Sequence, residues 1–462
     1  MKKLKSAVLL SFAAAFIAGG GALRARAAEP SPPPDFLAES VFLAEAGSGD
    51  ALFEKNAGAR RGPDALVKLM TILLAAEAVE RGDISRSELV TASDGAVSGI
   101  KSGGGASVSA GEAAPFIDWL YLAYTGGSDA ACNVIAERVS GAVPEFIALM
   151  NARAAQLGCS DTSFTNAHGA LDDAQYSTAR DLAAIALQAS KSALFTEIAS
   201  AAAYTTAETN ASPPRKLTSA NYTQVETRSR YYYKYVVFGR ASSTYENGYA
   251  CVEFAEREEF SCVAVVLGAR AVILEDESTE LQNLTEARRL FEWGYENYSR
   301  RAVLSSHELV ARAGIAFGDG ADFVNLRPDR DVSLILPVGL GEGELVRETK
   351  IYSEEAGVTL SAPVSAGDEL GEITVSRGGE LIASAKLVAD SSVALLRAKY
   401  MKSLVAEAAR GRWAKIIVAA AAVVFFAYAV IVIRYNVIRA RRVKRANAAK
   451  QRIIDERRGH GK

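Results

Sequence analysis

A serine followed three positions later by a lysine lets an amine draw the hydroxyl proton and send the oxygen into a peptide carbonyl. Enzymes built this way add an S-x-N and then a K-T-G further along the chain. Short matches are present here. Ser98-Gly99-Ile100-Lys101 has the first spacing, Lys101-Ser102-Gly103 imitates the third, and Ser219-Ala220-Asn221 has the second. They do not make a set. One lysine cannot fill two roles, and the glycine-rich surroundings of Ser98 do not promise the helix that stacks residues i and i+3 on one face. Metal chemistry has less support. His168, His307 and His460 are far apart, and the four cysteines have no ligand spacing to histidine. No metal and no cofactor are expected.

The elements that must position any such groups are legible. Residues 40–45 and 51–54, joined by Gly47-Ser48-Gly49-Asp50, read as a hairpin. Residues 66–81 read as a helix with Leu66, Leu69, Met70, Leu73 and Leu74 on one face. Further helices are expected at 129–139, 143–157, 178–190 (capped by Ser177 or Thr178) and 281–298, with strands at 249–254 and 261–267. Cys251 and Cys262 lie on those two strands, so one bridge across a hairpin is open, whereas Cys132 and Cys159 read as buried thiols. Strands at both ends of a helical middle indicate an α/β (α+β) layer fold over 36–298. Short alternating runs at 308–313, 332–336, 349–353, 372–376 and 381–387 then indicate a small all-β domain over 302–390.

The segment around Lys68 carries a resemblance. Glu54-Lys55-Asn56-Ala57, followed by Arg61-Gly62-Pro63-Asp64-Ala65-Leu66-Val67-Lys68-Leu69-Met70-Thr71, resembles the serine D-alanyl-D-alanine carboxypeptidases, low-molecular-weight penicillin-binding proteins that read EKNA…R..PASLTKLMT there. The resemblance puts Lys68 on the motif lysine and Ala65 on the nucleophile. Thr125-Gly126-Gly127-Ser128-Asp129-Ala130-Ala131 is similar to the family's SGNDAA, with Gly126 for the serine and Ser128 for the asparagine. Arg240-Ala241-Ser242, ahead of Gly248-Tyr249-Ala250-Cys251, stands for K-T-G. Arg240 keeps the charge, while Ala241 and Ser242 replace the threonine and the glycine. Thr125 is one place from the lost serine. Phe164-Thr165-Asn166-Ala167-His168-Gly169, Tyr176-Ser177-Thr178-Ala179-Arg180-Asp181-Leu182 and Gly367-Asp368-Glu369-Leu370-Gly371 also match. The resemblance covers about residues 36–390, implies a penicillin-binding-protein-like domain with its C-terminal β domain, and leaves no catalytic motif intact. It makes His168 structural and Lys68 a buried or ion-paired remnant.

The ends of the chain add topology. Lys2, Lys3 and Lys5 precede an apolar run and Ala25-Arg26-Ala27, so 1–28 reads as a signal peptide. The run 416–433 is free of charge, so 413–434 reads as a transmembrane helix, preceded by a linker or amphipathic helix at 391–412. The tail 435–462 is basic, which places it in the cytoplasm and the body outside. The net charge of −2 conceals a segment 434–462 of +9, a first 27 residues of +5, and −16 on the rest. An acidic body argues against nucleic acid as a partner. Three readings stand. The chain is a pseudoenzyme that holds wall peptide or a protein partner through Arg240. It is an active carboxypeptidase with a displaced nucleophile, Ser98 or Ser128. Or it is a structural partner in a cell-wall or sporulation assembly.

Overall fold

The computed structural model describes residues 33–459 except 99, 101–104, 228–229, 259, 276 and 278. The signal-peptide segment 1–28 and most of the Ser98–Lys101–Gly103 stretch therefore lie outside the described residues. The chain divides into two compact units, Met1–Ala302 with Ser333–Glu344, and Val303–Val332 with Leu345–Lys462.

The first unit is built on five antiparallel strands. These are β1 (Ser40–Glu45), β2 (Ala51–Lys55), β3 (Val236–Thr244), β4 (Gly248–Glu256) and β5 (Ser261–Ala269), in the order β2-β1-β5-β4-β3. Strand β1 is buried along its whole length, because both of its faces are covered. Phe42 and Ala44 join the larger core, while Val41 and Leu43 join a second core. A strand covered on both faces reads as a continuous apolar run, which explains Val-Phe-Leu-Ala.

The larger core is helical. It contains α1 (Lys68–Glu80), α2 (Phe116–Tyr124), α3 (Asp129–Ser140), α4 (Val143–Gln156), α5 (Ala179–Ala189) and α6 (Ala193–Ala199). Helix α1 departs from the one-sided expectation. Leu69, Met70, Thr71, Ile72, Leu73, Leu74, Ala75 and Ala76 are all buried, so this is a central helix packed on every side. It is entered through a 3-10 turn, Asp64–Val67. Helix α5 begins as expected, with Thr178 accepting from the Asp181 amide. The second core packs α7 (Gln282–Asn297) on the opposite face of the sheet through Leu284, Ala287, Leu290 and Phe291.

Cys251 faces Val266 and Cys262 faces Ala255 across the β4–β5 ladder. The open bridge of the sequence reading is therefore not made, and all four cysteines are free and buried. The register of the ladder carries the two thiols several rungs apart.

The second unit contains a six-stranded sheet. Residues 298–304 form β6, followed by β7 (Ala311–Ala316), β8 (Phe323–Pro328), β9 (Val332–Pro337), β10 (Leu345–Ile351), β11 (Leu360–Ser361), β12 (Glu369–Arg377) and β13 (Glu380–Ala389). The sheet order is β10-β12-β13-β8-β7-β11, while β6 and β9 pair with each other alone. By its contacts, Ser333–Glu344, which holds most of β9, groups with the first unit. Helix α8 (Arg397–Arg410) follows, with no buried residue. Helix α9 (Arg412–Gly459) is 48 residues long and contains a stretch long and apolar enough to cross a membrane. Every large apolar side chain from Trp413 to Ile433 stands exposed on it, as a lipid-facing helix requires.

Candidate active-site cleft

Helix α1, the end of α2 and the edge strand β3 enclose a cleft of about 500 Å³. Its lining includes Ala65, Lys68, Gly126, Arg240 and Ser242. Five of the seven positions singled out in the sequence thus converge. Ser128 and Ala241 do not line the cleft.

Lys68 is the first residue of α1 and is 2 % exposed. Its ammonium donates to Asp129 Oδ1 at 2.6 Å and to the His168 carbonyl at 2.5 Å. Both partners were missed in sequence as site residues, although Asp129 stands inside the quoted Asp-Ala-Ala run. The Lys68 amine is thus engaged by a carboxylate and by a backbone carbonyl. The His168 ring is also committed. Its Nδ1 accepts from the Ala170 amide at 3.3 Å, and burial lowers its pKa. Thr71 Oγ1 donates to the Ala167 carbonyl at 2.5 Å, so α1 is pinned to this loop twice.

Ala65 lies in the 3-10 turn before Lys68 and offers the cleft a methyl group. Its amide is occupied as well, donating to Ser242 Oγ at 3.2 Å. On β3, side chains alternate. Arg240 and Ser242 line the cleft, whereas Ala241 sits opposite Cys251 and packs against the second core. Ala241 is therefore not where a hydroxyl would be lost from the cleft.

The Thr125–Ser128 segment is shaped by close backbone contact. A Cβ on Gly126 would meet the Leu122 carbonyl oxygen at 2.8 Å, so a serine there requires the backbone to move. Ser128 caps α3 and accepts from the Ala131 amide at 3.4 Å. Thr125 does line the cleft, and its buried Oγ1 has no partner. Ser98 is exposed after a one-turn helix and is not among the lining residues. Ser219 and Asn221 serve a local turn, the Asn221 amide donating to Ser219 Oγ at 3.1 Å.

Arg240 is 8 % exposed. One guanidinium nitrogen donates to the Tyr124 carbonyl, and the group lies 5.3 Å from the centre of the Tyr124 ring. Nε has no partner, and among the described residues no carboxylate lies within ion-pair distance. Burial lowers the guanidinium pKa from its ordinary value.

Behind the cleft floor, Glu253 of β4 faces Gly239 of β3. Its Oε2 accepts from Asn221 Nδ2 at 3.0 Å and Thr223 Oγ1 at 2.9 Å, while Oε1 has no partner. Burial pushes its pKa up to about 8 from 4.5. An unfolded glutamate gives up its proton near 4.5, and the folded one keeps it until about pH 8. Stability from this group is then complete below pH 4.5 and falls as pH rises through the window, by up to about 1.4 kcal/mol per pH unit. Urea unfolding at intervals from pH 5 to 8 should show that decline in the wild type and a flatter profile in Glu253→Gln. Parallel profiles would remove Glu253 as the source.

Residues 26–271 match the model of the D-alanyl-D-alanine carboxypeptidase family, and residues 298–395 match the penicillin-binding protein 5 C-terminal domain. The chain is 27 % identical over 354 residues to D-alanyl-D-alanine carboxypeptidase DacF of Bacillus subtilis, covering 76 % of this chain and 85 % of that one. It is 27 % identical over 361 residues to DacA of Escherichia coli K12, covering 77 % and 83 %. Among solved structures, penicillin binding protein 5 from Haemophilus influenzae aligns with a TM-score of 0.61 at 24 % identity, over 79 % of this chain and 99 % of that one. That likeness supports the fold. Taken with the sheet, the cleft and the two matched segments, the chain belongs to the D-alanyl-D-alanine carboxypeptidase family.

Proposed function

We propose that this member of a peptidoglycan-processing family has no carboxypeptidase turnover and uses its cleft to hold a carboxylate. The ligand is the end of a wall stem peptide or an acidic side chain of a cell-wall protein. The observation that carries the reading is the pairing of two facts. The position one turn before Lys68 is a methyl whose amide is already bonded to Ser242, and Arg240 stays buried in the cleft without an acidic partner among the described residues. An uncompensated buried charge is costly to maintain, and a guanidinium holds a carboxylate through parallel hydrogen bonds. The proposed setting is the outer face of a membrane. Residues 1–28 direct export, 413–434 span the bilayer once, and the basic tail stays inside, where it also meets anionic lipid.

Titration of a D-alanyl-D-alanine peptide into the wild type and into Arg240→Ala tests the carboxylate site. A partly desolvated charged hydrogen bond contributes about 1.5–3 kcal/mol, so the variant should bind roughly 10- to 100-fold more weakly. Equal affinities, or no binding to either protein, would remove Arg240 from the site and favour a purely structural role.

A further inference from the structure

Asp64 has the least ordinary backbone in the cleft. Its φ is 46° although it carries a side chain, a left-handed conformation that persists only where its surroundings enforce it. The enforcement is visible. The carboxylate, on a residue only 3 % exposed, accepts from Thr244 Oγ1 at 2.9 Å and from Asn247 Nδ2 at 2.8 Å. Two glycines leave room for this arrangement. A Cβ on Gly62 would lie 2.2 Å from Asn247 Nδ2, and one on Gly169 would lie 2.1 Å from the Asp64 carbonyl oxygen. One residue on, the Ala65 amide is bonded to Ser242. Three hydrogen bonds therefore stitch the start of α1 to the end of β3 and the turn that follows it.

The stitch lies between two depressions. Asp64 lines the cleft that contains Arg240. Asn247 lines a second depression of about 710 Å³, together with Arg60, Asp172, Tyr176 and Glu246. Leu171 borders both.

We propose that Asp64, Thr244 and Asn247 form a latch that sets the length of ligand the cleft accepts. When it is closed, the cleft takes a short carboxylate-ended group, such as a dipeptide or an acidic side chain. An extended peptide enters only when the latch parts. The choice of ligand rests on the carboxylate reading of Arg240, whereas the latch itself rests on the geometry of residues 62–65 and 242–247.

A thiol at position 65 reports on the latch independently of any ligand. The four native cysteines are buried, so the unsubstituted protein supplies the background. In Ala65→Cys, the rates of alkylation by iodoacetamide and by a peptide-linked maleimide are compared, alone and combined with Asn247→Ala or with the shape-preserving Thr244→Val. Loss of a hydrogen bond to a charged group should raise the bulky-reagent rate roughly 10-fold or more, with little change for iodoacetamide. In parallel, a D-alanyl-D-alanine dipeptide and a pentapeptide ending in it are titrated into the wild type and the same latch variants. The variants should gain affinity for the pentapeptide only. An unchanged ratio of alkylation rates in both combinations overturns the latch whatever the ligands do. Altered rates without binding of either peptide would leave the latch standing and sink the carboxylate reading instead.

Discussion

The purified body is expected to release no D-alanine from a D-alanyl-D-alanine peptide and to form no covalent adduct with a fluorescent penicillin. Removing the nucleophile of a serine hydrolase costs on the order of 10⁶ in rate. Among the described residues, nothing in the cleft compensates. Lys68 is bound to Asp129 and the His168 carbonyl, and Ser128 is spent on the cap of α3. Release can be followed by an assay for free D-alanine and the adduct by intact mass. Turnover abolished by substituting Ser98 or Ser128 would show that the nucleophile had moved.

Restoring the serine is not expected to be enough. Ala65→Ser alone is expected to react with penicillin slowly or not at all, because the amide at position 65 is bonded to Ser242 Oγ. A carbonyl oxygen that gathers charge during attack needs such donors free. Losing one costs about 10²–10³ in rate. Ala65→Ser with Ser242→Gly should therefore be acylated roughly 100-fold faster than Ala65→Ser alone. It should remain below an intact enzyme, because a side chain at Gly126 has no room beside the Leu122 carbonyl. Acylation of the single variant as fast as the double would mean that the Ser242 hydroxyl yields without cost.

Local patterns carried the sequence reading far. The hairpin of β1 and β2, the Thr178 cap and the helices from Asp129 and Val143 all depend on neighbours within a few residues, and the structure has them in place. Lys68 and Arg240 were found through the frame around them. What stayed hidden depends on distant pairing. The Asp64 carboxylate meets partners 180 and 183 positions away, and no local pattern marks a left-handed aspartate. The direction of Ala241 follows from strand alternation, but β3 was not marked out as a strand. The bridge left open between Cys251 and Cys262 failed on register, which the strand signals at 249–254 and 261–267 did not determine. That Arg240 has no ion pair among the described residues follows from which acidic residues the fold brings near it; Asp129, the carboxylate that acts on it electrostatically, is bonded to Lys68.

Helix α9 runs through 48 residues with no proline, and with no glycine before its last position. Proline, glycine and inserted side chains are the usual causes of kinks, so nothing in this stretch introduces a hinge. At 1.5 Å per residue it is about 72 Å long, against a hydrocarbon layer of about 30 Å. With its apolar part placed across a bilayer, more than half of the rod would stand clear of the lipid. Such a shaft behaves mechanically as one piece, so a twist or a thrust applied to its apolar part reappears at its basic end. Two alanine-to-glycine changes just past Ile433 would turn the shaft into a loose tether and uncouple the two ends while leaving the span itself unaltered.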